Sequence, residues 1–298
     1  MDRLHLMRTF VAVVDEQGFA GAARRLQMSP PAVTRAIAAL EKRLGARLLT
    51  RTTRVVRVTD AGARYVEDCR RILAEIEEAD ESAGGVHARP RGRLTVTAPA
   101  MFGGMHVTPL AIEYLRRHPE TTVACWFVDR MVNLVDEGAD VAIRIGDLPD
   151  SSAQAIRVGH VRRVICASPD YLKRNGVPRT VATLAAHTIV MNRLSSGTEW
   201  KLVEGGAART VRLAPRLMTT TNEAAIEGAL AGFGLTRVLS YQVIEHVRAR
   251  RLKLVLEEFE PPPWPVHVMY REGRRAASKV RAFVDLAVER LRANAAIR

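Results

Sequence analysis

A run of breakers divides this chain into two lengths of different texture. Gly84-Gly85 through Arg89-Pro90-Arg91-Gly92 interrupts any helix that reaches it, because glycine loosens the backbone and proline removes an amide donor. Before the break, apolar residues recur at helical spacing. After it, short β-branched runs alternate with helical ones. A chain of 298 residues is long for one core and accommodates two or three domains. The division read from the pattern is 1–58, a helical unit ending in a hairpin; 59–91, a charged helix and hinge; and 92–298, an α/β region.

In the first unit Met7, Phe10, Val11 and Val14 mark one face of a first helix. Phe19, Ala22, Ala23 and Leu26 follow Gly18 on a second, whose small residues permit close packing. Ser29 is a suitable N-cap, and Pro30 stands where a helix needs no amide donor. Along this third helix Val33, Ile37, Leu40 and Leu44 share a face. Pro31, Arg35, Ala38 and Lys42 lie opposite, with Thr34 on the flank. An apolar back, a slim front and adjacent cations suit a major groove about 12 Å wide. Beyond Gly45, the stretch Arg47 to Val58 has hairpin character, a wing whose arginines, Arg51 and Arg54 among them, reach phosphate or the minor groove.

Charge agrees with this reading. The net charge is +13, and between Ala20 and Val58 nine basic side chains face a single acid, Glu41. Of the 45 basic residues 40 are arginine, which suggests coding bias. Bias would spread charge evenly, however, and the following segment is acidic. A basic patch confined to the helix–wing region is the footprint of double-stranded DNA.

From Thr59, another suitable N-cap, a helix presents Gly62, Val66, Cys69, Leu73 and Ile76 on one stripe, widened by Tyr65 and Ile72. Such a stripe either pairs with a second copy of the chain or packs against its own domain.

In the α/β region Leu94–Thr97, Thr121–Val128, Val141–Ile145, Val164–Ala167, Thr188–Met191 and Val266–Met269 read as strands. Val107–Arg117, Met131–Glu137 and the final apolar face Val280, Phe283, Val284, Ala287 and Leu291 read as helices. The alternation predicts a largely parallel, doubly wound sheet. Two subdomains of similar size are expected, about 92–162 with 266–298, and 163–265, separated by a crevice. The turn after the first strand (Pro99, Ala100, Met101, Phe102) is a candidate to hold an anion through its free backbone N–H groups. Arg144 and Ile145 end a strand, where ligands of open sheets gather. Thr221 and Asn222, the latter as N-cap, complete the candidate effector set. Arg144 equally suits an ion pair with Asp129 or Asp140, and Met101 and Phe102 equally suit a core.

Other classes fit poorly. No phosphate loop, Gly-x-Ser-x-Gly elbow, His-Glu-x-x-His or dinucleotide fingerprint occurs, so no catalytic residue, metal or cofactor is expected. No apolar run approaches the ~18 residues of a membrane span. Met1-Asp2-Arg3-Leu4-His5 lacks an export layout, which argues against a solute-binding protein for transport and for the cytoplasm. Cys69, Cys125 and Cys166 suit reduced thiols. A DNA-compacting protein would leave the α/β region unexplained.

Several marks together resemble the LysR family of transcriptional regulators: Ala22-Ala23-Arg24-Arg25-Leu26, Ser29-x-Pro31-Ala32-Val33-Thr34-Arg35, Leu40-Glu41, Leu44-Gly45, Arg51-Thr52-Thr53-Arg54 and Thr59-Asp60-Ala61-Gly62. In the α/β region Ala98-Pro99, Leu134 to Gly146, Ala167-Ser168-Pro169-Asp170-Tyr171-Leu172 and Ala231-Gly232-Phe233-Gly234 continue it, so that the resemblance covers 3–293. It implies an all-α winged helix-turn-helix domain followed by an α/β periplasmic-binding-protein-like domain of two subdomains, with a small-molecule effector, such as an organic anion, in the cleft. It further implies that Ser29, Pro31, Thr34 and Arg35 dock the recognition helix and that Arg51, Thr53 and Arg54 belong to the wing. Val66, Cys69, Leu73 and Ile76 would then pair two subunits in a homodimer or homotetramer, and RNA polymerase would be a further partner. Pro30 stands where many members carry Gln, which removes one base contact, and Gly18 replaces the usual capping Ser. Some relatives hold an effector carboxylate with a hydroxyl in the first loop, which Ala100-Met101-Phe102 does not supply.

Overall fold

The N-terminal helices close around Phe10, which has no exposed surface. A computed structural model describes residues 2–51, 56–83, 89–129, 138–148, 153–192, 198–271 and 276–297. The chain divides into two compact units, Met1–Ala88 and Arg89–Arg298. The first contains α1 (Arg3–Asp15), α2 (Phe19–Arg25), α3 (Pro30–Leu44), an antiparallel wing of β1 (Leu49–Arg51) and β2 (Val56–Val58), and α4 (Asp60–Ala83). Ser29 caps α3 by accepting from the Ala32 amide at 3.4 Å. Gly45 ends it in the left-handed region at φ 65°, a conformation that costs little without a Cβ.

The core of this unit joins Leu6, Met7, Phe10 and Val13 of α1 to Ala22 and Ala23 of α2, and to Val33, Ile37 and Leu40 of α3. Burying a side chain such as Phe10 contributes about 1.5–3 kcal/mol. The buried arc of α1 is wider than its sequence pattern predicts, taking in Leu6, Ala12 and Val13 while Val11 and Val14 are half-buried. The cause is that α1 touches α2, α3 and α4 together.

The same packing corrects the expected pairing stripe. Val66, Cys69 and Leu73 are buried in this unit's own core, so the face assigned to a partner helix is used by α1. Of those four residues only Ile76, which is half-buried, lies outside that core cluster.

In the second unit one sheet has the order β4-β3-β5-β14-β6, from β3 (Gly92–Ala98), β4 (Thr121–Phe127), β5 (Val141–Ile145), β6 (Gln154–Val161) and β14 (Trp264–Tyr270). A second group contains β7 (Arg163–Ala167) between β12 (Thr236–Leu239) and β13 (Lys253–Val255), and β8 (Val190–Asn192) beside β11 (Leu217–Thr219). An isolated bridge, Ile189 to Leu235, joins β8 to β12. A hairpin, β9 (Glu199–Glu204) and β10 (Ala207–Arg212), packs Trp200 and Leu202 into the core of this half. The helices are α5 (Thr108–Arg117), entered through a helical turn at Ala100–Phe102 and a wider one at Gly103–Val107, then α6 (Pro169–Asn175), α7 (Asn222–Leu230), α8 (Ser240–Arg248) and α9 (Ser278–Ala293). Met131 to Glu137, predicted helical, lies outside the described residues.

The sheets are mixed rather than largely parallel. β3 runs parallel to β4 and β5, but β14 is antiparallel to β5 and β6, and β7 is antiparallel to both its neighbours. Chain crossings explain this. β6 passes into β7 through Arg162 alone, and Glu260-Pro261-Pro262-Pro263 leads back into β14. Strands that arrive by crossing enter a sheet from the opposite end. The Arg162 guanidinium lies 3.3 Å from Glu257 and 3.2 Å from Glu260, tying the two crossings together.

On the far side of the first sheet, Glu113 of α5 accepts two hydrogen bonds from Arg290 of α9, at 2.7 and 3.1 Å. Arg290 first, and Arg117 after it, hold the Glu113 carboxyl below its ordinary value of 4.5. A lowered carboxyl adds stability above its unfolded value and loses it as pH falls through the folded one. Acid unfolding followed by circular dichroism should therefore show the Glu113→Gln variant losing less stability than the parent between neutrality and the region below 4.5.

Candidate functional site

The front of α3 is open to solvent. Ser29, Pro31, Arg35, Ala38 and Lys42 are exposed and Thr34 is half-buried, while Val33, Ala36, Ile37 and Leu40 are sealed beneath. Among the described residues Arg35, Lys42, Arg43 and Arg47 are exposed and form no ion pair. Arg51 closes β1. Thr53 and Arg54 lie outside the described residues.

The single acid of this basic stretch has a structural task that its sequence context did not reveal. Glu41 Oε1 accepts from the amides of Leu48 and Leu49, at 2.8 and 3.1 Å, and so pins the wing to the recognition helix. Thr59 Oγ1 donates to the Arg47 carbonyl at 2.8 Å and accepts from the Gly62 amide at 3.0 Å. Gly62 presses against the Leu48 carbonyl so closely that a Cβ would come within 2.1 Å of its oxygen. Helix, wing and linker helix thus meet at Leu48.

Residues 4–63 match the model described as a bacterial regulatory helix-turn-helix protein of the lysR family, and residues 87–292 match the LysR substrate binding domain. The chain belongs to the LysR family of transcriptional regulators. It is 36% identical over 288 residues to a helix-turn-helix transcriptional regulator of Xanthomonas campestris, covering 95% of this chain and 83% of that one. It is 32% identical to the regulator PgrR of Escherichia coli, over 94% and 95% of the two chains. Its fold matches the LysR-type regulator CrgA of Neisseria meningitidis with a TM-score of 0.62 at 28% identity, covering 96% and 98%. As a LysR-family protein it combines a DNA-binding helix-turn-helix with an effector-binding domain.

Within that effector domain, Pro99–Phe102 sit at the end of β3 and Arg144 and Ile145 at the end of β5. Thr221 and Asn222 follow β11 beside Asn192, whose amide donates to Asn222 Oδ1 at 3.0 Å. Thr221, not Asn222, caps α7: its hydroxyl accepts from the Ala224 amide at 3.2 Å. Adjacent residues with similar capping chemistry leave a one-residue ambiguity in sequence. Phe102 has no exposed surface and stacks against His106 and Tyr241, with ring centroids 4.7 and 5.2 Å away. Met101 is half-buried and packs against the clusters of both halves.

One amide of the expected anion cradle, that of Ala100, already has an acceptor within the protein. Asp129 accepts from the Ala100 amide at 2.9 Å, placing the protein's own carboxylate on that helical turn. Phe102 packs edge-on against Tyr241, whose hydroxyl is pushed above its ordinary value first by burial, with Asp129 and Glu223 adding to the effect. Asp140, the other acid considered for Arg144, instead accepts from the Thr95 amide at 2.7 Å. Arg144 donates to the Ile143 carbonyl at 3.0 Å.

Burial raises the Cys69 thiol to about 11 and the Cys166 thiol to about 12, which leaves both as poor nucleophiles. Among the described residues no group of His, Cys, Asp and Glu is arranged to hold a metal, and no helix is long and apolar enough to cross a membrane.

The contact at Leu48 makes a direct forecast. Gly62→Ala should lower the stability of the N-terminal unit by roughly 1–3 kcal/mol through overpacking, seen as a fall in the urea midpoint. An unchanged midpoint would mean that the contact relaxes freely.

Proposed function

We propose that the chain reads an imperfect palindrome in promoter DNA as a homodimer or homotetramer, and that an effector in the C-terminal domain alters this grip. Ser29, Pro31, Thr34 and Arg35 approach base edges and phosphates from α3, while Arg51, Thr53 and Arg54 contact the backbone or minor groove from the wing. The observation that carries this reading is the exposed cationic front of α3, without ion pairs among the described residues, above a sealed core. Ligand binding among Pro99–Phe102, Arg144, Ile145, Thr221, Asn222 and the facing wall changes the spacing of subunits, and with it DNA bending and contact with RNA polymerase. The protein acts in the cytoplasm, as a regulator and not as an enzyme.

Gel shifts with the protein's own upstream region test the interface. Arg35→Ala should weaken binding by about tenfold or more. Arg54→Ala should reduce the slope of log affinity against log salt by about 1. Full affinity in both variants would overturn the assignment. Ile76→Asp should shift the protein toward monomer in light scattering, since Ile76 is left outside its own unit's core.

A further inference from the structure

Two arginines at the junction of the two halves stand without a carboxylate in ion-pair contact among the described residues. Arg163 opens β7 immediately after the first crossing, and Arg237 lies on the neighbouring β12. The register pairs Arg163 with Leu239 and Arg237 with Ile165. Alternation therefore puts both arginines on one face as diagonal neighbours. Each guanidinium lies over an indole: Arg163 Cζ is 4.3 Å from the centre of Trp264, and Arg237 Cζ is 5.5 Å from that of Trp200. The tryptophans fix two long side chains in place before anything binds.

Neither charge is closed into an ion pair among the described residues. Among the described residues Arg163 and Arg237 form no ion pair, whereas Arg162, one position earlier, has both Glu257 and Glu260. The hydrogen bond of Arg237 is to the Lys201 carbonyl at 3.1 Å, and Arg163 Nε is buried with no partner. Burial, and then the like charge of Arg163, pulls Arg237 down to about 10. Asp147 favours the charged form of Arg163 but makes no ion pair with it. Both arginines are half-buried, not sealed. The place is also right for a ligand that reports between halves. Trp264 and Asp147 come from the first sheet, at and just beyond the C-terminal end of β5, while Arg163, Arg237 and Trp200 come from the second. The helical turn at Ala100, by contrast, already carries Asp129.

We propose that Arg163 and Arg237 are the anion anchor of the effector site, and that the effector is a small organic carboxylate held by the two guanidiniums beside Trp264. Paired planar guanidiniums match the two oxygens of a carboxylate, and a partly dry setting strengthens each contact. This inference rests on the reading of the chain as an effector-responsive regulator.

Full-length protein is titrated with sodium succinate, benzoate and phthalate up to about 10 mM, beyond the weak end of ordinary ligand affinity. Benzamide and succinamide serve as uncharged counterparts. Indole emission and the thermal midpoint are read together. At least one carboxylate should change the emission and raise the midpoint while its amide counterpart does neither. Arg163→Gln and Arg237→Gln should each weaken that response by about tenfold or more. Arg237→Lys should recover part of it, and Arg179→Gln, at an exposed position, should keep all of it. Circular dichroism confirms that each variant is folded. Silence from all three carboxylates, or an undiminished response in both glutamine variants, overturns the anchor. Gel shifts separate this from the parent reading. A carboxylate that alters the DNA complex equally in the parent and both glutamine variants leaves the regulator standing and removes the anchor. One that binds through Arg163 and Arg237 without altering the parent's DNA complex keeps the anchor and removes the regulatory reading.

Discussion

The DNA-reading half of the molecule depends on how tightly the chain is held at Leu48. Its amide and that of Leu49 are taken by Glu41, and its carbonyl accepts the Thr59 amide at 3.0 Å and lies against Gly62. A two-stranded wing of three residues a side has little stability of its own. It gains a fixed direction because one carboxylate on the recognition helix accepts from two backbone donors, a charge-assisted arrangement stronger than neutral pairs. The linker helix begins at the same point, since Thr59 caps it while contacting the end of the Arg47–Leu48 segment. Glu41 thus carries the one negative charge of its neighbourhood for a structural purpose, facing inward while the cations face out.

Much of this was legible in the chain itself. The caps at Ser29 and Thr59, the stop at Gly45 and the two faces of α3 all follow from local chemistry, and the structure places them as read. The stripe on α4 was legible as apolar but not as to its partner. Periodicity states that Val66, Cys69 and Leu73 are buried and is silent on what buries them; α1 does. Strand direction in the α/β domain failed for a similar reason. Alternating strands and helices favour parallel neighbours, but two crossings between halves reverse β14 and β7, and nothing local marks a crossing. At the candidate effector site, the amide of Ala100 was visible in sequence as a free donor. Its occupant, Asp129, is 29 residues away. Arg163 and Arg237 were hidden in the same manner, because what distinguishes them is that no described carboxylate closes an ion pair with either one in space.

Positive charge is distributed in two different ways. On the first unit it is spread over exposed side chains that can slide along a polyanion, each contributing modestly and sensitively to salt. In the second, beside many exposed cations, two half-buried guanidiniums lie over indoles, where water screens charge less. Arg162 provides the internal contrast. Its carboxylates make it part of the framework, while its immediate neighbour forms no ion pair among the described residues.

The crossings between the two halves of the effector domain have a mechanical consequence. One is a single residue long, and the other carries three consecutive prolines whose φ angles are fixed by their rings. The two are clasped by Arg162 and Glu260. Such a joint has almost no slack. A turn of one half against the other has few backbone torsions to use outside β6, β7 and β14 themselves. A floppy linker would let a ligand close the halves and pass nothing on; a taut one converts closure into torque.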